Sequence, residues 1–154
     1  MKVLLSIKPE YVEQIFNGQK RFEYRKILFK DPNVSTVIVY STMPIGKIVG
    51  EFNVKQIHRD KPSKLWSKTK QYSGVAEEFY NKYFIGKTEG YAIEIDEPFL
   101  YEQPIDPKEI VEGFVPPQSF FYFGNFDNII ADKIQICIIR SVSKICSQEV
   151  LFAD

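Results

Sequence analysis

Histidine occurs once in the 154 residues, as His58, and cysteine twice, as Cys137 and Cys146. With no cluster of thiolates and imidazoles to draw on, a transition-metal site is not expected. The two cysteines lie close together near the end of the chain with no secretory signal ahead of them, which predicts reduced thiols rather than a staple. Long apolar runs are missing as well. Met1 to Lys8 holds a stretch too short for a signal core, and no later segment approaches a membrane span, so a cytoplasmic protein without a membrane partner is expected. The chain also lacks a phosphate-cradling glycine loop, a G-x-S-x-G elbow and a helical H-E-x-x-H, which removes the common nucleotide, ester and zinc chemistries. No cofactor is expected.

What is present is apolar and aromatic: 44% hydrophobic and 15% aromatic residues exclude a disordered or fibrous chain and predict one compact, soluble domain with a proper core. Formal charge sums to +0 but is unevenly spread. Residues 1–30 hold seven Lys/Arg against three Asp/Glu, residues 55–70 six against one, and residues 71–132 three against twelve. If the two basic segments share one side they make an electropositive surface suited to nucleic acid, whereas interleaving with the acidic segment cancels the field.

Periodicity gives the order of elements. Val3 to Ile7 predicts a buried first strand, and Pro9 opens a helix whose Tyr11, Val12, Ile15 and Phe16 recur at helical spacing until Gly18. The amides at that helix start, beside Lys8, favour an anion, with Glu10 and Glu13 opposing. Val34 to Ser41 predicts a central strand. Lys47 to Ile57 predicts a long one, with Gly50 at a bend or bulge. Pro62 to Trp66 predicts a helical turn, with Trp66 packed in the core or offered as a base-stacking platform. Val75 to Phe84 predicts a helix with Phe79, Tyr80, Tyr83 and Phe84 on one stripe, and Gly90 to Asp96 alternates as a strand. A short helix is predicted from Asp106 to about Val111, and a closing strand entered through Pro116-Pro117 and running to Phe123. Gln118 and Ser119 either point at a ligand or satisfy loop backbone. The tail from Asn125 reads as strand.

The chain is organised around Gly18 to Lys26, where Lys20, Arg21, Arg25 and Lys26 surround one carboxylate, Glu23, within seven consecutive residues. Such a group holds an anion or handles a proton, or else it is a solvated strand edge. On a strand Glu23 and Arg25 share one face and Phe22 and Tyr24 the other. Lys20 joins the first pair only if the turn after Gly18 rotates it round. The apolar pair is the natural core side, so Glu23 and Arg25 are expected to face a polar cleft bordered by Lys20, by Ser41 or Thr42, and by Gln118 and Ser119.

Five stretches resemble one known family: Leu5-Ser6-Ile7-Lys8-Pro9-Glu10-Tyr11, Gly18-x-Lys20-x-x-Glu23-x-Arg25, Tyr40-Ser41-Thr42 with Pro44 and Gly46-Lys47, Gly50-Glu51-Phe52, and Pro116-Pro117-Gln118-Ser119-Phe120. Together they resemble the ASCH (activating-signal-cointegrator homology) domain of the PUA-like superfamily over about residues 3–123. The resemblance implies an α+β fold, a small curved PUA-like β-barrel with helices packed at its sides and ends, and a cleft floored by the Gly18 to Arg25 segment. Residues 1–124 are then the domain; the C-terminal extension 125–154 lies outside the resemblance, and its many isoleucines are expected to pack on the same domain or to form a self-association surface. The resemblance further implies RNA or a nucleotide or nucleoside ligand as partner, with Lys8, Lys20, Glu23, Arg25, Lys26, Ser41, Thr42, Gln118 and Ser119 as candidate binding residues. One branch of the family removes the acetyl group of N4-acetylcytidine nucleosides with a lysine, a threonine and a glutamate. In this chain Lys20 falls on that lysine and Glu23 on the place of the threonine, so Lys20 and Glu23 are the candidate catalytic pair if the protein is a hydrolase. Another branch is described as having ribonuclease activity.

Overall fold

The run near the N-terminus does not alternate because both of its faces are buried. In β1 (Lys2–Ile7) Val3, Leu5 and Ile7 enter one apolar cluster, while Leu4 enters another. The computed structural model describes residues 1–109 and 111–122. After β1 come α1 (Pro9–Phe16), β2 (Phe22–Arg25), β3 (Thr36–Ser41), β4 (Lys47–Asp60), α2 (Pro62–Thr69), α3 (Glu77–Tyr83), β5 (Gly90–Ile105) and β6 (Phe121–Tyr122). Short 3-10 turns occupy Lys70–Tyr72 and Pro107–Glu109.

The six strands form one curled half-barrel sheet in the order β2-β5-β4-β3-β1-β6, with β1 and β3 parallel and the other pairs antiparallel. Three register shifts between β4 and β5, and one between β3 and β4, bend it. Gly50 sits at one of these shifts. A side chain there would meet the Phe99 carbonyl at 2.5 Å and the Phe16 ring at 2.6 Å, so the close crossing requires glycine. Helix α1 packs Val12 and Ile15 into the first cluster, with Val37, Val39 and Phe52 of the sheet. Helices α2 and α3 cover Tyr24 of β2 and Ala92 of β5 through Leu65, Tyr80 and Phe84. Trp66 packs here too, its ring 4.7 Å from that of Tyr80.

Several boundaries differ from the sequence reading by a few residues, β4 running on to Asp60 and α2 to Thr69, and three differ by more. Strand β5 does not stop at Asp96 but runs to Ile105, because Glu97 takes a single left-handed turn (φ 46°) and Asn53 donates to its carboxylate at 2.9 Å. The ladder resumes at Phe99 opposite Glu51, and Pro98 falls in the interruption, where its missing amide costs no ladder bond. The closing strand is shorter than Pro116 to Phe123: Phe121 and Tyr122 pair with Leu4 and Val3. Residues 116–120 are not strand, since Ser6 Oγ donates to the Pro117 carbonyl and Arg25 to that of Ser119. The predicted helix after Asp106 reduces to the turn Pro107–Glu109. The expectations for residues 125–154, packing extension or self-association surface, lie outside the described residues.

The charge question is answered by strand pairing. Acidic β5 lies beside basic β4, so Lys55 and His58 meet Glu94 at 3.0 and 2.8 Å, and Arg59 meets Glu89 at 2.8 Å. Much of the 55–70 charge is therefore cancelled at the sheet. Among the described residues no helix is long and apolar enough to cross a membrane.

Candidate functional site

The turn after α1 delivers Lys20 to the interior. Gly18 adopts φ 84°, Asn17 Oδ1 accepts the Gln19 amide at 3.0 Å, and the Lys20 amide returns to the Gln14 carbonyl at 2.9 Å. The side chain is then 1% exposed, and its Nζ donates to the Ser73 carbonyl at 2.8 Å. The same Nζ lies 3.8 Å from Glu23 Oε2 and 4.9 and 5.6 Å from the ring centres of Tyr24 and Tyr11. Burial lowers the Lys20 pKa from the ordinary lysine value; Glu23 works against the shift and Arg25 adds to it.

Glu23 is buried between two cations, with Oε1 3.2 Å from Arg25 Nη2. The Arg25 guanidinium is largely committed within the protein. Nη2 donates to the Ser6 carbonyl at 2.9 Å and Nη1 to the Ser119 carbonyl at 3.3 Å, while Nε is buried with no hydrogen-bond partner among the described residues. Arg25 therefore ties β1, β2 and the 116–119 segment together and fixes the Glu23 carboxylate; its fork does not stand free for an anion.

Above these groups opens a cleft of about 430 Å³. Of the sequence candidates, Lys8, Lys20, Glu23, Arg25, Thr42 and Gln118 line it. Ser41, Ser119 and Lys26 are not among its lining residues. Ser41 is buried in β3, Ser119 contributes its carbonyl to Arg25, and Lys26 is exposed with its ammonium 4.5 Å from the Tyr83 ring centre. Tyr24 packs on the helices as expected, but it also lines the cleft. It does both because β2 is an edge strand over which α3 closes: the Tyr80 ring lies 4.9 Å from that of Tyr24, and Tyr83 Oη donates to the Tyr24 carbonyl at 3.4 Å.

The sequence reading missed the aromatic wall made by Tyr11, Phe79, Tyr80 and Tyr83. One signal was available, since Glu77–Tyr83 is seven residues long and carries three aromatics, more ring surface than one short helix buries on a single side. Among the described residues no group of three or more His, Cys, Asp or Glu gathers as a metal set.

The Tyr24 hydroxyl bonds to Thr69 Oγ1 at 2.7 Å, and burial pushes its pKa up to about 12 from the ordinary tyrosine value of 10.0. A phenol held neutral in the fold stabilises fully below the unfolded value and loses that contribution as pH rises through the folded one, so the window runs from 10.0 to about 12. Tyr24→Phe is expected to flatten this alkaline loss, seen as a smaller drop in urea midpoint between those pH values than in wild type. Identical slopes for both proteins would refute it.

A curled mixed sheet flanked by α1, α2 and α3, with a cleft over the β1–α1–β2 segment, defines a PUA-like α+β protein. Within that class the chain belongs to the ASCH domain family, whose model matches residues 5–99. An ASCH domain-containing ribonuclease of Zymomonas mobilis is 27% identical over 124 residues, covering 77% of this chain and 81% of that protein. A crystal structure of a ZmASCH mutant from the same organism matches with a TM-score of 0.78 at 24% identity, over 86% of this chain and 95% of that one. An ATP synthase subunit alpha of Ureaplasma parvum is 30% identical over 105 residues, which cover 68% of this chain; the chain spans 13% of that relative's length.

Proposed function

We propose that the cleft binds a nucleotide unit, as a free nucleotide or as part of an RNA chain. The observation that carries this reading is the combination of a charged floor, Lys20 with Glu23, and walls of Tyr11 and Tyr24. Rings accept a base face, while ammonium and carboxylate meet its polar edge or a phosphate. A volume near 430 Å³ lies toward the small end of ligand sites, about 300–1,000 Å³, and has room for one nucleotide rather than several. The ribonuclease name of the Zymomonas relative supports RNA as the source of that nucleotide.

In this reading Lys20, Glu23, Thr42 and Gln118 touch the nucleotide, and Lys8 stands at the mouth of the cleft near phosphate. Arg25 positions Glu23, and Lys26 and the Ser41 and Ser119 segments act from outside the cleft. Titration of nucleotides and short RNAs tests it. Affinity should fall as salt rises, and Lys20→Ala should weaken binding by about tenfold or more across sequences, the loss expected for a hydrogen bond to a charged group. Binding that ignores salt and Lys20, or no binding to any nucleotide or RNA, rejects the proposal.

A second reading, hydrolysis of a modified nucleoside, is favoured by one observation. Lys20 combines a lowered pKa with a carboxylate 3.8 Å away, the pairing a lysine needs to act as base or nucleophile while Glu23 moves the proton. Acylated nucleosides and single-stranded RNA, assayed with wild type, Lys20→Ala and Glu23→Gln, separate the readings. Turnover lost in both variants makes the protein an enzyme, and no turnover leaves the binding module.

A further inference from the structure

The cleft has two levels. Lys20 and Glu23 lie at 2% and 8% exposure on the floor, whereas Phe79 is 37% exposed at the mouth and Lys8 is exposed beside it. Phe79 and Tyr83 stand one turn apart on α3 with their rings 15° from parallel and centroids 6.3 Å apart. Each ring carries a cation from another element. Lys8 Nζ, just before α1, lies 5.5 Å from the Phe79 centre, and Lys26 Nζ, just after β2, lies 4.5 Å from that of Tyr83. No salt-bridge partner is recorded for Lys8 or Lys26 among the described residues.

From this geometry we infer that the Phe79–Tyr83 face of α3, with Lys8 and Lys26, is a second subsite. It stacks the nucleotide adjacent to the one in the cleft and neutralises the phosphate between them. The inference rests on the nucleotide reading above and narrows it: the ligand class is a single-stranded oligonucleotide, not a mononucleotide. Nearly parallel rings take a base face with little regard to sequence, and an ammonium over each ring places positive charge beside the phosphodiester that leaves a stacked base. The cleft has room for one nucleotide, so the next must leave through the mouth, where this platform lies.

The test measures the affinities of the four ribonucleoside 5′-monophosphates and of the 5′-phosphorylated di- and trinucleotides that extend the best bound of them. The dinucleotide is expected to bind about 5- to 100-fold tighter than its mononucleotide, the gain of one stacked base. Phe79→Leu, which keeps apolar bulk but removes the ring, should collapse the dinucleotide-to-mononucleotide ratio toward one, and Phe79→Tyr should keep it. Lys8→Ala combined with Lys26→Ala should lower the ratio and flatten its salt dependence. A wild-type ratio near one, with mononucleotide still bound, overturns the subsite and leaves the cleft reading intact. A ratio that Phe79→Leu leaves unchanged in a folded protein also overturns it. Failure of every mono- and oligonucleotide to bind removes both readings, whereas oligonucleotide binding that depends on Phe79 without measurable mononucleotide binding supports the platform alone.

Discussion

Glu23→Ala is expected to lower folding stability by about 3–5 kcal/mol, the range for removing one partner from a buried ion pair. The carboxylate sits between Lys20 and Arg25, with side-chain exposures of 1%, 10% and 11% for Lys20, Glu23 and Arg25. Once it is gone Arg25 still donates to the Ser6 and Ser119 carbonyls, but among the described residues Lys20 retains only the Ser73 carbonyl as a hydrogen-bond partner. The cost therefore falls mainly on Lys20, whose buried amine must either keep its charge without a counter-charge or give up its proton. Adding Lys20→Met to Glu23→Ala removes that charge at similar volume and should recover a measurable part of the loss in urea unfolding at neutral pH. A double variant no more stable than Glu23→Ala alone would place the loss elsewhere than in uncompensated charge.

Gly74→Ala is the second large effect, at about 3 kcal/mol. The position has φ 66°, where an L side chain costs about 1–2 kcal/mol. An added Cβ would also lie 2.5 Å from Lys20 Cβ and 2.6 Å from Gln14 Oε1, and overpacking of this kind costs about 1–3 kcal/mol more. Lys20 cannot retreat without breaking its bond to the adjacent Ser73 carbonyl, so ligand affinity should fall along with stability. Gly86→Ala is the control. Gly86 has φ 74° with nothing within 4 Å of an added Cβ, and it should lose the backbone part alone. Equal losses at the two positions would show that Lys20 is not clamped by the Ser73–Gly74 backbone.

The Gly18 to Lys26 stretch was legible because its information is local. A period of two puts Glu23 and Arg25 on one face, and the glycine after a helical stripe marks the turn that rotates Lys20 inward. The curled α+β sheet followed from the family resemblance, and the apolar runs marked its strands. What escaped the sequence depends on chain-distant or main-chain partners. The acceptor for Lys20 is a backbone carbonyl 53 residues away, which no side-chain pattern announces. The second half of β5 was hidden by Asp96-Glu97-Pro98, composed like a stop but folded as an irregularity within a continuous strand. The aromatics of α3 form one stripe at helical spacing, and a stripe does not say which rings a neighbouring strand covers. Tyr80 is 1% exposed and Phe79 37%, and only packing separates them.

One attachment made by Arg25 links two parts of the cleft mechanically. Along the 116–119 wall, Ser6 Oγ holds the Pro117 carbonyl and Arg25 Nη1 holds that of Ser119. Beyond it, the Tyr122 hydroxyl accepts the amides of Lys30 and Asp31 and anchors the downstream end. The wall behaves as a span pinned at its far end and latched in the middle by the same guanidinium that steadies Glu23. The wall and the Glu23 carboxylate therefore share one support, with Nη1 of the guanidinium holding the first and Nη2 the second.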